Sequence, residues 1–446
     1  MLHRRFLFVC LGLLGLSLAA CSNRSPDGAN DTTPTATPAD PALCDADNGG
    51  LTLPEGFCAA IVADSLGPTR HLAVRDNGDI YAAVRDAEDT GGGVVALRDT
   101  DGDARADSIV YFGDTGGTGI GLHKGHLYFG PDTGVWRYPL ADDALLPDVA
   151  AKEVIVTGFP EQRQHAVKPF AFNGTGAMFV NVGAPSNACQ EEMRTEDSPG
   201  LDPCPQLERQ GGIWQFQDDV PNQTQQDDGT RYATGIRNAV AITWNEQVDN
   251  LYVMQHGRDQ LHSLWPDLYT QEESAALPAE AFFQVDAGDD FGWPYCYYDG
   301  VDDQQKELAP EYGGDGETVG RCDSFEDPLL AFPAHWAPND LLFYDGTQFP
   351  ESYRGAAFVA FHGSWNRYPF PQQGYKVTMH RMDGAVPADS SWSVFADGFA
   401  GADSLRTPRN AEYRATGLAV GPDGSLYIAD DQQGRIWRVM YVGNDG

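Results

Sequence analysis

The sequence predicts an all-β chain closed into a six-bladed β-propeller, and three observations carry that prediction. Residues 231–259, RYATGIRNAVAITWNEQVDNLYVMQHGRD, read as strand, turn and strand: AVAITW is apolar and β-branched, NEQVDN turns, and LYVM resumes the strand. The same unit, a turn and a small residue followed by apolar–aromatic–apolar, recurs as DNGDIYAAV, HKGHLYFG, GTGAMFVNVG, YRGAAFVAFHG and PDGSLYIADD. The last copy is one strand short, and FCAAIVAD near the N-terminus is a spare strand that can complete it. Radial repetition buries each sheet against its neighbours and leaves only short edges, which favours a propeller over an irregular β-sandwich.

Taken in order, residues 1–21 read as a targeting segment. Arg4 and Arg5 precede FLFVCLGLLGLSLAAC, too short and wrongly flanked for a spanning helix. Its ending LAAC is similar to a bacterial lipobox, which predicts a lipid anchor on Cys21; ordinary secretion with cleavage nearby is the alternative. Ser22 after the cysteine matches outer-membrane sorting, so the expected location is an exported bacterial lipoprotein facing periplasm or exterior. Residues 22–43, SNRSPDGANDTTPTATPADPA and the residues up to Cys44, form a polar Pro/Thr tether too hydrophilic to fold. The propeller is expected over 44–446. Its central aromatics are Tyr81, Tyr128, Phe179, Tyr252, Phe358 and Tyr427. Flanking strands are expected before them at HLAV, PFAF, AVAITW, LLFY and GLAV. Others are expected after them at VVALRD, VWRYPL, IWQFQD, QLHSLW, YKVTMH and RIWRVM.

Once Cys10 leaves with the signal and Cys21 takes the lipid, six cysteines remain, an even set for an oxidising compartment. Nearest-neighbour pairing gives 44–58, 189–204 and 296–322. A net charge of -36 excludes nucleic acid and anionic membrane surfaces as partners. DTDGDARAD, residues 99–107, spaces Asp99, Asp101, Asp103 and Asp107 as oxygen ligands for calcium, but Ala104 stands where glycine is expected and no glutamate closes the loop. A solvated acidic turn fits it equally.

Residues before innermost strands, or after second strands, ring the mouth of a propeller. The expected ring contains Arg70, His71, His123, Gln164, His165, Arg237, Asn238, His335 and Arg414. Asn187, Gln255, the turn His256–Asp259, His362 and Arg367 join it from second strands. Cations pooled on an acidic protein point to an anionic ligand held by Arg and His donors.

GIRNAVAITW, QHGRD, GDDFGWPYC, FVAFHGSWNR followed by GYKV, and YRATGLAVGPDGSLYIADD resemble the glucose/sorbosone dehydrogenase family, from about LPEGFCAAIVAD to the C-terminus. The HGSWNR–GYKV form is closer to its sorbosone and pyranose dehydrogenase-like branch. That resemblance implies pyrroloquinoline quinone (PQQ) and calcium as cofactors, a sugar substrate and oxidoreductase activity on CH–OH groups. By the same resemblance His165, in RQHAVKPFAF, is the base, and Arg237 and Asn238 meet the quinone oxygens. Arg237 there also stabilises developing negative charge. The carbonyls of Gly257 and Arg258 hold calcium; soluble glucose dehydrogenases have proline at the second position. Arg414 matches a carboxylate-binding arginine, His362 stands where those enzymes use lysine, and His335 joins the cofactor contacts. With no C-x-x-C-H haem motif in the sequence, electrons are expected to pass to a separate acceptor.

Two other classes compete: a calcium-dependent lactonase-like propeller, which needs acidic and Asn side chains converging on an axial metal, and a non-catalytic extracellular binding propeller. Substrate selectivity is expected from the two largest insertions, 184–212 and 294–334, with Trp293 and Tyr295 as candidate sugar platforms against a core role for Trp293.

Overall fold

The computed structural model describes residues 37–86, 92–301 and 305–443. The signal segment with Cys21 and the tether as far as residue 36 lie outside the described residues. Six sheets, each with four antiparallel strands, stand round a common axis, the innermost strands of neighbouring blades against one another; the second blade adds a short fifth strand, Gln223–Thr224, in parallel at its outer edge. Those innermost strands are Thr69–Val74, Gly117–His123, Phe170–Phe172, Ala241–Asn245, Pro338–Phe343 and Ala415–Val420. The second strands are Ile80–Val84, His126–Pro131, Ala177–Val182, Asn250–Gln255, Ala357–Phe361 and Leu426–Asp430. The chain is a six-bladed β-propeller.

Each interface between blades is one hydrophobic cluster, six in all among the described residues. The repeated aromatic explains why. Tyr81, Tyr128, Phe179, Tyr252, Phe358 and Tyr427 are all buried in these clusters, and a buried ring of this size contributes on the order of 2–3 kcal/mol. Three of the tyrosines also reach across to the next blade. Tyr81 donates to Leu145 O at 2.7 Å, Tyr128 to Asp218 O at 2.7 Å and Tyr252 to Ala385 O at 2.7 Å. The hydroxyl thus keeps a partner where burial removes water.

FCAAIVAD does complete the sixth blade: Phe57–Ala63 pairs antiparallel with Ile436–Tyr441, Phe57 opposite Tyr441. The described end of the stretch expected as tether, residues 37–43, is held to the propeller. Ala39 donates its N–H to Tyr441 O at 2.8 Å, and Asp40 caps a single 3-10 turn over Pro41–Leu43. The three disulfides are Cys44–Cys58, Cys189–Cys204 and Cys296–Cys322.

One strand differs from expectation. QLHSLW is not the third strand of the fourth blade; Leu261–Leu264 is a short helix, and the sheet resumes at Glu280–Val285. Gln260 adopts a left-handed conformation, φ 65°, which turns the chain out of the sheet before the apolar run begins. A second helix, Gln271–Ala276, opens with a capping box on Thr270 and Glu273 before EAFFQV pairs.

Innermost strands start, and second strands end, at the same face. Four innermost strands carry register shifts at that start, at Thr69/Leu72, Gly117/Gly119, Pro338/Asp340 and Ala415/Gly417. Such bulges re-aim side chains at a rim, and two of the displaced residues, Arg70 and Asn339, line the cavity that opens there.

A cationic cavity at the mouth of the propeller

The cavity has a volume of about 400 Å³, within the range of small-molecule sites. His165, Arg237, Asn238, Gly257, His335, His362 and Arg414 all line it, together with Arg70, Gln164 and His256. Six arginines face three carboxylates, Asp259, Glu280 and Asp431, so the lining is cationic in a chain of net charge -36.

His165 sits in the linker between second and third blades with φ 51°, a left-handed conformation that costs energy for a side chain with a Cβ. Its Nδ1 lies 2.7 Å from Ala184 O, so that nitrogen carries the proton and Nε2 keeps a free lone pair. Gly183 makes the room: a Cβ there would stand 2.6 Å from His165 Cβ and 2.7 Å from Asn238 Oδ1. Burial, then the nearby Arg237 charge, pushes the imidazolium down to about 3, so His165 is neutral at ordinary pH.

Arg237 is 3% exposed, and four of its five guanidinium N–H groups are engaged, which leaves one Nη1 hydrogen for a ligand. It donates to Asn187 O (3.2 Å), Asn187 Oδ1 (3.0 Å), Gly257 O (2.8 Å) and Asp259 Oδ2 (2.9 Å). Gln255 Oε1 accepts the Arg237 backbone N–H at 2.8 Å. Asn187 is the brace beneath, its Nδ2 on Asp259 O at 2.9 Å. Asp259 also accepts from Arg194 (3.1 Å) and Asn366 (2.8 Å). Burial would raise the Asp259 carboxyl, but Arg237, His335 and Arg194 hold it down at about 2.

Across the cavity, Asp431 accepts from His362 Nε2 at 2.7 Å and from Arg70 at 2.6 Å. Arg414 donates to the carbonyls of His362 (3.0 Å) and Gly363 (2.8 Å). His335 Nε2 meets Ser274 O at 2.9 Å, and His256 Nε2 meets Pro338 O at 2.7 Å. Glu280 accepts the backbone N–H groups of Gly257 (2.9 Å) and Ala337 (3.2 Å), and burial raises it to about 7.

Of the expected ring, His71, Asn187, Gln255 and Arg367 do not line the cavity, and two more residues lie elsewhere. His123 ends the innermost strand of the second blade, at the opposite face, bonded to Asp218 at 2.6 Å. The motif HKGHLYFG precedes a second strand, which starts where the first one ends. Arg258 turns its side chain away from the cavity, into the 294–334 insertion, and pairs there with buried Glu311. Its carbonyl meets no hydrogen-bond donor among the described residues. The carboxylates of Asp99, Asp101 and Asp107 come within 4.8 Å of one another but do not line the cavity. Asp99 and Asp107 already accept amides of their own loop.

The donor set suits a polyanionic, planar cofactor such as PQQ: arginines surround the space, and Arg70 Nε is buried without a partner. Backbone carbonyls of Gly257 and Arg258 are the hard oxygen donors that calcium takes. The Gly257 carbonyl already accepts from Arg237, so a calcium ion there would share that oxygen with the guanidinium.

These buried histidines make stability pH-dependent. His165 is held at about 3, and His256, His362 and His380 at about 4, each by burial. Unfolded imidazoles titrate near 6.5, so between those values the unfolded chain binds more protons and stability falls as pH drops. Glu280, raised from 4.5 to about 7, Asp430, raised from 3.8 to about 6, and Asp340, also raised by burial, act oppositely. With His335, lowered by burial, counted among the histidines, three buried carboxyls stand against five rings. The urea midpoint is therefore expected to be lower at pH 5 than at pH 7; equal midpoints would contradict burial of the neutral rings.

The family described as TrAA12-like matches residues 51–442. A PQQ-dependent pyranose dehydrogenase of Coprinopsis cinerea is 28% identical over 237 residues, 46% of this chain and 30% of that protein. A PQQ-dependent sugar dehydrogenase of Hypocrea jecorina is 24% identical over 233 residues, 49% of this chain and 50% of that protein. The chain thus spans half or less of the length of these curated relatives. Among solved structures, the holo PQQ domain of the Coprinopsis cinerea pyranose dehydrogenase superposes with TM-score 0.69 at 20% identity, over 87% of this chain and 97% of that one. An iodide structure of the Trichoderma reesei family AA12 enzyme gives TM-score 0.71 at 18% identity, over 88% and 98%. At these identities the superpositions speak for the fold.

Proposed function

The chain belongs to the TrAA12-like family, and from that membership and the cationic cavity we propose a PQQ-dependent, calcium-requiring dehydrogenase of pyranoses or related aldose sugars. The observation that carries this reading is a neutral histidine, its Nε2 lone pair free, in a cavity lined by six arginines. When bound, PQQ supplies an ortho-quinone able to take up the hydride lost by a sugar C–H. The chain's residues do the rest. His165 Nε2 accepts the proton of the sugar hydroxyl, and Ala184 O keeps the ring in the tautomer that permits it. The His165 imidazole, held down in part by Arg237, would become more basic with an anionic ligand in the cavity.

Arg237 and Asn238 would hold the quinone oxygens, and the Arg237 charge would stabilise negative charge developing there. Arg414, His362 and His335 would receive the carboxylates, while the carbonyls of Gly257 and Arg258 would hold calcium. Electrons leave to a separate acceptor. Cys21 carries the lipid anchor, which places the enzyme at the cell envelope, outer membrane favoured.

Reconstitution tests this reading. Protein loaded with PQQ and calcium is expected to reduce an artificial acceptor only when a sugar from an aldose and disaccharide panel is present. EDTA treatment before loading is expected to abolish both cofactor binding and turnover. Absence of sugar-dependent reduction across the panel would refute the dehydrogenase assignment, and a cofactor bound and active after exhaustive chelation would refute the calcium site.

A further inference from the structure

The insertions expected to choose the sugar contribute little to the cavity. Of 184–212 only Arg194 lines it, and of 294–334 no residue does. Trp293 is 4% exposed and donates Nε1–H to Asn187 O at 3.0 Å, a core role. The Tyr295 hydroxyl oxygen accepts the Cys204 backbone N–H at 2.9 Å, and its ring stands under the Arg321 guanidinium. The ring that does reach the cavity is Trp365, in the loop after the second strand of the fifth blade.

This loop is held on both sides of Trp365. Ser364 Oγ bonds Gln372 Oε1 at 2.8 Å and accepts the Gln373 N–H at 2.9 Å; the Ser364 carbonyl accepts from Tyr375 at 2.8 Å. Asn366 Nδ2 donates to Asp259 at 2.8 Å, and Arg367 donates to Ala275 O. Yet Trp365 is 53% exposed and Tyr368 79%, and neither ring meets another ring or a cation among the described residues. Asn366 Oδ1, also at the lining, is buried with no partner. A pinned backbone that presents bare rings beside an unused acceptor is the chemistry that recognises a saccharide: C–H faces stack on aromatics while a hydroxyl fills the acceptor.

We propose that Trp365 and Asn366 form a sugar subsite, a pyranose ring lying on the indole with one hydroxyl donated to Asn366 Oδ1, and Tyr368 carrying the next ring of a disaccharide. This rests on the dehydrogenase reading only for the fate of the bound sugar. The loop orders the platform before binding, so the rings lose little freedom on contact.

Isothermal titration with cellobiose and with glucose, on protein without cofactor, tests the subsite apart from turnover. Trp365→Ala is expected to weaken both sugars about tenfold, with Trp365→Phe restoring most of the affinity, as a stacking platform requires. Tyr368→Ala weakens cellobiose alone. In the loaded enzyme Trp365→Ala raises KM with kcat and PQQ binding unchanged. Equal affinities for native protein and Trp365→Ala, or no binding by native protein, overturn the subsite; unchanged cellobiose affinity in Tyr368→Ala overturns the second position. Sugar binding without any oxidation would leave the subsite standing and remove the dehydrogenase.

Discussion

His165→Ala is expected to lower turnover by roughly 100- to 10,000-fold, the usual worth of a positioned general base, and to leave PQQ binding nearly intact. The expectation rests on placement. The ring is fixed by Ala184 O, the backbone is held at φ 51°, and Gly183 leaves the space in which the imidazole stands. None of the three needs a cofactor to be in place. Truncation removes the lone pair at Nε2 without removing any of the arginines that surround the ligand. The check is single-turnover reduction of the loaded variant beside a cofactor titration. Full activity would remove His165 from the chemistry.

Arg258→Ala is expected to cost about 3–5 kcal/mol of stability, the range found when one partner of a buried pair is lost. Both charges are almost inaccessible, 4% and 0% of their side chains. Glu311 accepts both Arg258 amino groups and Trp265 Nε1 at 3.1 Å. A ligand carbonyl would leave its side chain free to vary, but the Arg258 side chain ties the turn to the insertion. Urea denaturation of Arg258→Ala, beside the paired change to Arg258→Met with Glu311→Leu, separates the terms: the double variant recovers most of the loss. A single-variant loss below about 1 kcal/mol would contradict the pair's role.

What the sequence made legible is the periodic part. Six aromatics recur because each must fill one interface between blades, and a missing strand is countable, so FCAAIVAD could be matched to its vacancy before any coordinates. QLHSLW was not separable from a strand, since a short apolar run satisfies either period and the deciding fact is the Gln260 backbone. That misassignment hid Glu280, which starts the true third strand. Asp431 was within reach, since it follows a second strand as Gln255 does. Asp259, although inside a turn already singled out, gains its importance from two arginines contributed by distant loops. Among 65 acidic residues, nothing local marks Asp259 and Glu280 as two that come to line the cavity.

The ring is fastened by a strand from its own beginning, Phe57–Ala63 against Ile436–Tyr441. Translation delivers those partners at opposite times: Phe57 emerges early and waits until Tyr441 has been made. Five sheets can stack sequentially, each on the one before, while the apolar surface of Leu72, Ile80 and Val62 has nothing to meet. Closure is therefore the step of longest sequence separation and, by the cost of such contacts, the slow one. Until it happens the nascent chain carries an open seam, wet along the edge where first and sixth blades belong, and this seam is where partially synthesised copies are most prone to adhere to one another.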